Sequence, residues 1–106
     1  MSTSRPPKHY RWLMDTWPEI GKAYEQLGSA VHGAGPLDAK TRALIKVAIS
    51  TGRGLEGAVH SHVRKALDAG CSRAEIEHTV LLAMPTIGLP STMAALTWIR
   101  DVLDKD

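Results

Sequence analysis

Apolar residues recur along the chain at three- and four-residue spacings and nowhere alternate cleanly with polar ones, which predicts helices and no strand. After a polar lead over residues 1–8, Tyr10, Trp12, Leu13 and Met14 mark one or two helical turns. Thr16-Trp17-Pro18-Glu19 has the form of a capping box, with Thr16 as N-cap and Pro18 in the first turn. The helix it opens carries Ile20, Ala23, Tyr24, Leu27, Ala30 and Val31 at helical spacing and stops at Gly33-Ala34-Gly35-Pro36. Asp38 is placed to cap the next helix. Leu44, Ile45, Val47, Ala48 and Ile49 cover so wide an arc of that helix that it is expected at the centre of the bundle, with Ile45 buried.

Gly52 and Gly54 end this element. A fourth helix, from about Leu55 to Ala69, turns Val59, Val63, Ala66 and Leu67 inward and closes at Gly70. Ser72-Arg73-Ala74-Glu75 is a second capping box, and the helix behind it presents Ile76, Val80, Leu81 and Met84. Pro85 and the run Thr86-Ile87-Gly88-Leu89-Pro90 break it. Ser91 can cap a last helix holding Met93, Ala94, Leu96, Trp98, Ile99, Val102 and Leu103. The expected fold is an all-α bundle of about five to six helices. Residues 1–15 form a lead and short helix, and residues 16–106 form a single domain.

Composition narrows the classes of function. The 106 residues suit one domain, and 43% are hydrophobic, as in a globular protein. Phe is absent and aromatics are 5%, so a core of Leu, Ile, Val, Ala and Met gains by burying more surface against further copies. A homo-oligomer is expected. The formal charge is +2 with both signs interspersed, which argues against a nucleic-acid partner. No apolar run approaches the ~20 residues of a membrane span, so no membrane partner and a cytoplasmic location are expected. Cys71 stands alone, which excludes an intrachain disulfide and any Cys-x-x-Cys motif.

Among the titratable residues, His62 shares a helical face with Val59, Val63 and Ala66. It can serve as a general acid or base, or pack as a core or interface histidine. His60 points to nearly the opposite side and can pair with Glu56 or lie near Arg64 at four-residue spacing. His78 is as readily exposed as turned into a pocket. No His-x-x-x-His or His-Glu-x-x-His motif occurs, so no metal is expected, and no cofactor is implied. Cys71 lies near a helix N-terminus, where a thiolate is stabilised, but a buried packing role is the better reading. Met84, Ile87, Met93 and Trp98 are candidate pocket residues around the broken helix. Trp12 and Trp17 can anchor an oligomer or touch a ligand.

Four segments in order carry a family likeness: Leu37-Asp38-Ala39-Lys40-Thr41-Arg42-Ala43-Leu44-Ile45, His62 through Gly70, Ala74-Glu75-Ile76-Glu77-His78, and Gly88-Leu89-Pro90. Together they resemble the carboxymuconolactone decarboxylase family over roughly residues 18–104. The resemblance implies an alkylhydroperoxidase D-like helical bundle, assembled as trimers or hexamers, with His62 at the position of the functional histidine. The family's peroxidases use two cysteines and a glutamate besides that histidine. Here those positions hold Leu55, Ala58 and Ala43, so thiol peroxidase (peroxiredoxin) activity is disfavoured. The resemblance then points to decarboxylase-like, lyase-type acid–base chemistry by His62 on a small carboxylated or lactone-like metabolite. Arg42 and Arg64 are the candidate carboxylate-binding residues. A non-catalytic, oligomeric small-molecule-binding protein remains the alternative.

Overall fold

The computed structural model describes residues 7–105. Residues 1–6 of the expected lead lie outside the described residues. The helices are α1 (Lys8–Thr16), α2 (Pro18–His32), α3 (Ala39–Arg53), α4 (Glu56–Asp68), α5 (Arg73–Leu81), the single turn α6 (Met84–Ile87) and α7 (Leu89–Leu103). No strand occurs among the described residues. The chain divides into two compact units, one ending at Asp38 and one beginning at Ala39.

The first unit is the helical pair α1–α2. The expected cap at Thr16 is not used: Thr16 is the last residue of α1, and Trp17 is the N-cap of α2 without any side-chain capping bond. The backbone explains the difference. Trp17 donates its N–H to the Leu13 carbonyl at 2.9 Å and accepts from the Gly21 N–H at 3.0 Å, so one residue both ends a helix and starts the next. Pro18 then fits the first turn, where no N–H is needed. Gly21 is buried against Met14, and a Cβ there would run into the Met14 side chain. Trp12 and Trp17 meet edge to face at 5.2 Å, and Tyr10 meets Tyr24 at 6.2 Å. The stripe Ile20, Tyr24, Leu27 and Val31 on α2 is exposed.

The second unit, α3–α7, holds a core of Val47, Val59, Val63, Ala66, Ile76, Val80, Ala95 and Ile99, each fully buried. Its middle element is α4, which packs on α3, α7 and α5. The expectation that α3 is central, with Ile45 buried, is corrected: Ile45 is 40% exposed and Ile49 61%. On α3 only the arc through Val47, Ser50 and Thr51 is fully buried; Ala43 and Leu44 pack partly against the core, and Ile45 and Ile49 face outward.

Two left-handed glycines set the length of α4. Gly54 (φ +68°) follows α3, with Gly54 N–H bonded to Thr51 O and Leu55 N–H to Ser50 O at 3.0 and 3.2 Å. Gly70 (φ +93°) follows α4, with Gly70 N–H on Leu67 O and Cys71 N–H on Ala66 O at 3.0 and 2.9 Å. Both are Schellman closures, which need a residue without a Cβ at the turning point. The capping box at Ser72 forms as the sequence predicts: Glu75 N–H donates to Ser72 Oγ at 3.1 Å and Ser72 N–H to Glu75 Oε1 at 2.8 Å. Ser91 is not a cap. The helix α7 begins earlier, at Leu89, with Gly88 as N-cap and Pro90 in the first turn.

Candidate functional site

The register of α4 decides what it presents on each side. At 100° per residue, its core stripe is Val59, Val63 and Ala66. One flank of that stripe carries Leu55, Ala58, His62 and Lys65, and the other carries Glu56 and His60. His62 lies on the flank that senses Lys46 of α3, whereas His60 reaches Asp101 of α7.

His62 is half-buried. Burial, followed by the positive charges of Lys65 and Lys46, lowers its pKa from 6.5 to about 4. Among the described residues, neither a carboxylate nor a hydrogen bond contributes to that shift. Lys46 is itself pushed below the ordinary lysine value by burial, then by Lys65 and Arg42. The result is a neutral imidazole in a cationic corner built from α3 and α4. At neutral pH it can accept a proton or a hydrogen bond, but it holds no proton to donate as an imidazolium. The positions that would carry redox thiols and a relay carboxylate are filled by the exposed Leu55, the half-buried Ala58 and Ala43, which packs on the core.

The other residues singled out from the sequence are dispersed. Arg42 lies close enough to Lys46 to depress its pKa, which puts it in the cationic corner. Arg64 is half-buried on α4, and the cations that lower the His62 pKa are Lys65 and Lys46. An apolar cavity of about 420 Å³ opens between α3, α5 and α6, lined by Leu44, Ile45, Ala48, Gly52, Thr79, Leu82, Ala83, Thr86 and Ile87. Of the expected pocket residues only Ile87 lines it. Met93 is 49% exposed, Trp98 packs on the core, and Met84 is half-buried. His62 does not line it either, because the cavity uses a different face of α3 from Lys46. Thus α3 has three faces, roughly a third of a turn apart: core, cavity and cationic.

Cys71 is 5% exposed and points its thiol at the Lys40 carbonyl, 3.6 Å away, as a packing cysteine does. His78 is exposed. Of the two partners the sequence allows His60, Glu56 lies 4.0 Å away, but the shorter contact is to Asp101 at 3.0 Å. Asp101 lies 41 residues away in the chain, so no local spacing signals it.

These features define a helical bundle with a half-buried histidine on α4 and no cysteine at the neighbouring relay positions Leu55 and Ala58. The carboxymuconolactone decarboxylase family profile matches residues 18–101, and the chain belongs to that family. The fold agrees with the crystal structure of the apo form of a carboxymuconolactone decarboxylase family protein from Legionella pneumophila. That structure superposes with a TM-score of 0.79 at 24% identity, over 91% of this chain and 86% of the other. An uncharacterized protein of Haemophilus influenzae is 34% identical over 64 residues, which is 60% of this chain and 57% of the relative. The match thus spans little more than half of that relative's length. No described helix is long and apolar enough to cross a membrane.

Proposed function

We propose that this protein is a thiol-independent member of its family that binds a small carboxylated or lactone-like metabolite beside His62. The observation that carries this reading is the half-buried imidazole next to Lys65 and Lys46, whose charges together with burial lower its pKa to about 4. Such a corner attracts an anion. A bound carboxylate offsets the two lysine charges, so the proton affinity of His62 rises when ligand enters. Ligand binding and proton uptake are then coupled, and His62 becomes a proton-transfer group only in the complex. Arg42 adds to the same field from α3. In a decarboxylation, the residues would stabilise the developing enolate and His62 would return a proton to carbon.

A second reading rests on the positions where the family's peroxidases carry two cysteines and a glutamate. Ala43, Ala58 and Leu55 offer no acid, base or nucleophile, which favours binding without turnover. Both readings disfavour thiol peroxidase chemistry through Cys71, because it is buried and has no second cysteine in the chain to resolve a sulfenic acid. Titrating the protein with small mono- and dicarboxylates while following the His62 ring by NMR tests the shared claim. A rise of the His62 pKa on saturation supports it, and no response of that ring to any of them refutes it. A homo-oligomer belongs to the same proposal, supported by exposed Ile20, Tyr24, Leu27 and Val31 on α2 and Ile45 and Ile49 on α3. Light scattering giving a mass near the 11.5 kDa of one chain contradicts that part.

A further inference from the structure

The opposite flank of α4 carries a different chemistry. Glu56 and His60 are one helical turn apart, and Asp101 of α7 faces them across the α4–α7 contact. One donor atom from each of the three lies within 4.8 Å of the others. His60 Nε2 is 3.0 Å from Asp101 Oδ2 and 4.0 Å from Glu56 Oε2. A tetrahedral zinc ion with bonds of about 2.0–2.1 Å spaces its ligands about 3.3 Å apart. The two separations from His60 bracket that spacing, and the donor atoms of Glu56 and Asp101 lie within 4.8 Å of each other, within reach of side-chain rotation.

We propose that Glu56, His60 and Asp101 bind a divalent transition-metal ion of the zinc type. One imidazole nitrogen with two carboxylates suits such an ion, and the two negative charges balance its charge. Calcium, which takes six to eight oxygen ligands, and magnesium, which demands octahedral oxygen, fit the set poorly. The imidazole is the sheltered member, with 22% of its side chain exposed, whereas the carboxylates are 58% and 55% exposed. The ring is thus fixed from the bundle side, and the ion enters from solvent. Asp101 also lines an open surface depression with Thr97, Arg100, Asp104 and Lys105, so this side of the site is reached from solvent. Three protein ligands leave a position for water. His62 is not part of this set, so the metal site and the cationic corner use separate flanks of one helix.

The test is calorimetric titration of the chelator-treated full chain with zinc, repeated with cobalt(II) to read coordination from its visible absorption. The expected result is saturable binding of one ion per chain with tetrahedral-type cobalt absorption. Glu56→Gln and His60→Gln should each weaken binding about tenfold or more, as removal of even an outer partner of a metal ligand does. His78→Gln, remote from the set, should bind as the wild type does. Glu56 is largely solvent-exposed, so its variant leaves the fold intact and keeps the test decisive where His60→Gln loosens the α4–α7 contact. Absence of saturable binding, or binding unchanged in both variants, would show that these residues form an ion-paired clamp only and would overturn the proposal.

Discussion

His60 and His62 stand on the same helix, two residues apart, and meet opposite surroundings. His60 has a carboxylate on each side, from Glu56 one turn earlier and from Asp101 on α7. His62 has two lysines and a partly buried position, and its imidazole is driven to the neutral form. The core stripe between them, Val59, Val63 and Ala66, makes α4 a wall with two differently charged sides. Identity as histidine therefore says little about role. The sign of the charge brought by the neighbouring helix decides it: α3 brings cations to one flank and α7 brings an anion to the other.

The largest expected effect comes from removing what holds both flanks in place. Ile99 is fully buried on α7, and Ile99→Ala should cost about 2–5 kcal/mol in denaturant unfolding. Ile45→Ala, at a position 40% exposed in the single chain, should cost clearly less unless other copies cover it. Equal costs at low protein concentration would show that the two helices are ranked wrongly. Next is the chemistry of the His62 flank. Once a substrate is in hand, His62→Gln should lower turnover by about 10²-fold or more, while thermal unfolding and particle mass stay near wild type. Disassembly of the variant would assign His62 to an interface instead.

Smaller effects separate the flanks by pH and by charge. The folded pKa of His62, about 4, lies below its ordinary 6.5, so between these values the unfolded chain binds more protons than the folded one. The contribution of His62 to stability is complete above pH 6.5 and falls as pH drops toward 4. Unfolding free energies across that window should show a shallower slope in His62→Gln than in wild type. On the other flank, the exposed His60–Asp101 pair should be worth about 0–1 kcal/mol, read from Asp101→Asn unfolding in low salt. A cost of several kcal/mol would mean that the pair is a structural clamp rather than a surface contact.

The helices were legible in the sequence because their periodicity is strong and their ends are marked. Gly54, Gly70 and the Ser72–Glu75 box stop and start α3, α4 and α5 where the pattern placed them. The signal at Thr16 misled because a capping side chain competes with backbone continuity, and Trp17 alone links α1 to α2. The width of the apolar arc on α3 was read as centrality, yet part of that arc lines a cavity and part faces outward. Periodicity shows that a face is apolar and not what covers it. His62 was singled out by its register beside Val59 and Val63, but the lysine field around it depends on how α3 packs. Lys46 was accordingly missed, although its four-residue spacing from Arg42 was visible. Asp101 was missed because only tertiary packing brings it to His60.

The charge state of the His62 ring decides whether this flank can bind an anion and take up a proton with it. An NMR titration of the assigned His62 imidazole in the ligand-free protein measures it directly. The expected midpoint is near pH 4, and it should rise when Lys46 is replaced by methionine because one of the two opposing charges is removed. A midpoint at or above 6.5 in the wild type would contradict it, since neither burial nor the lysines would then be acting on His62.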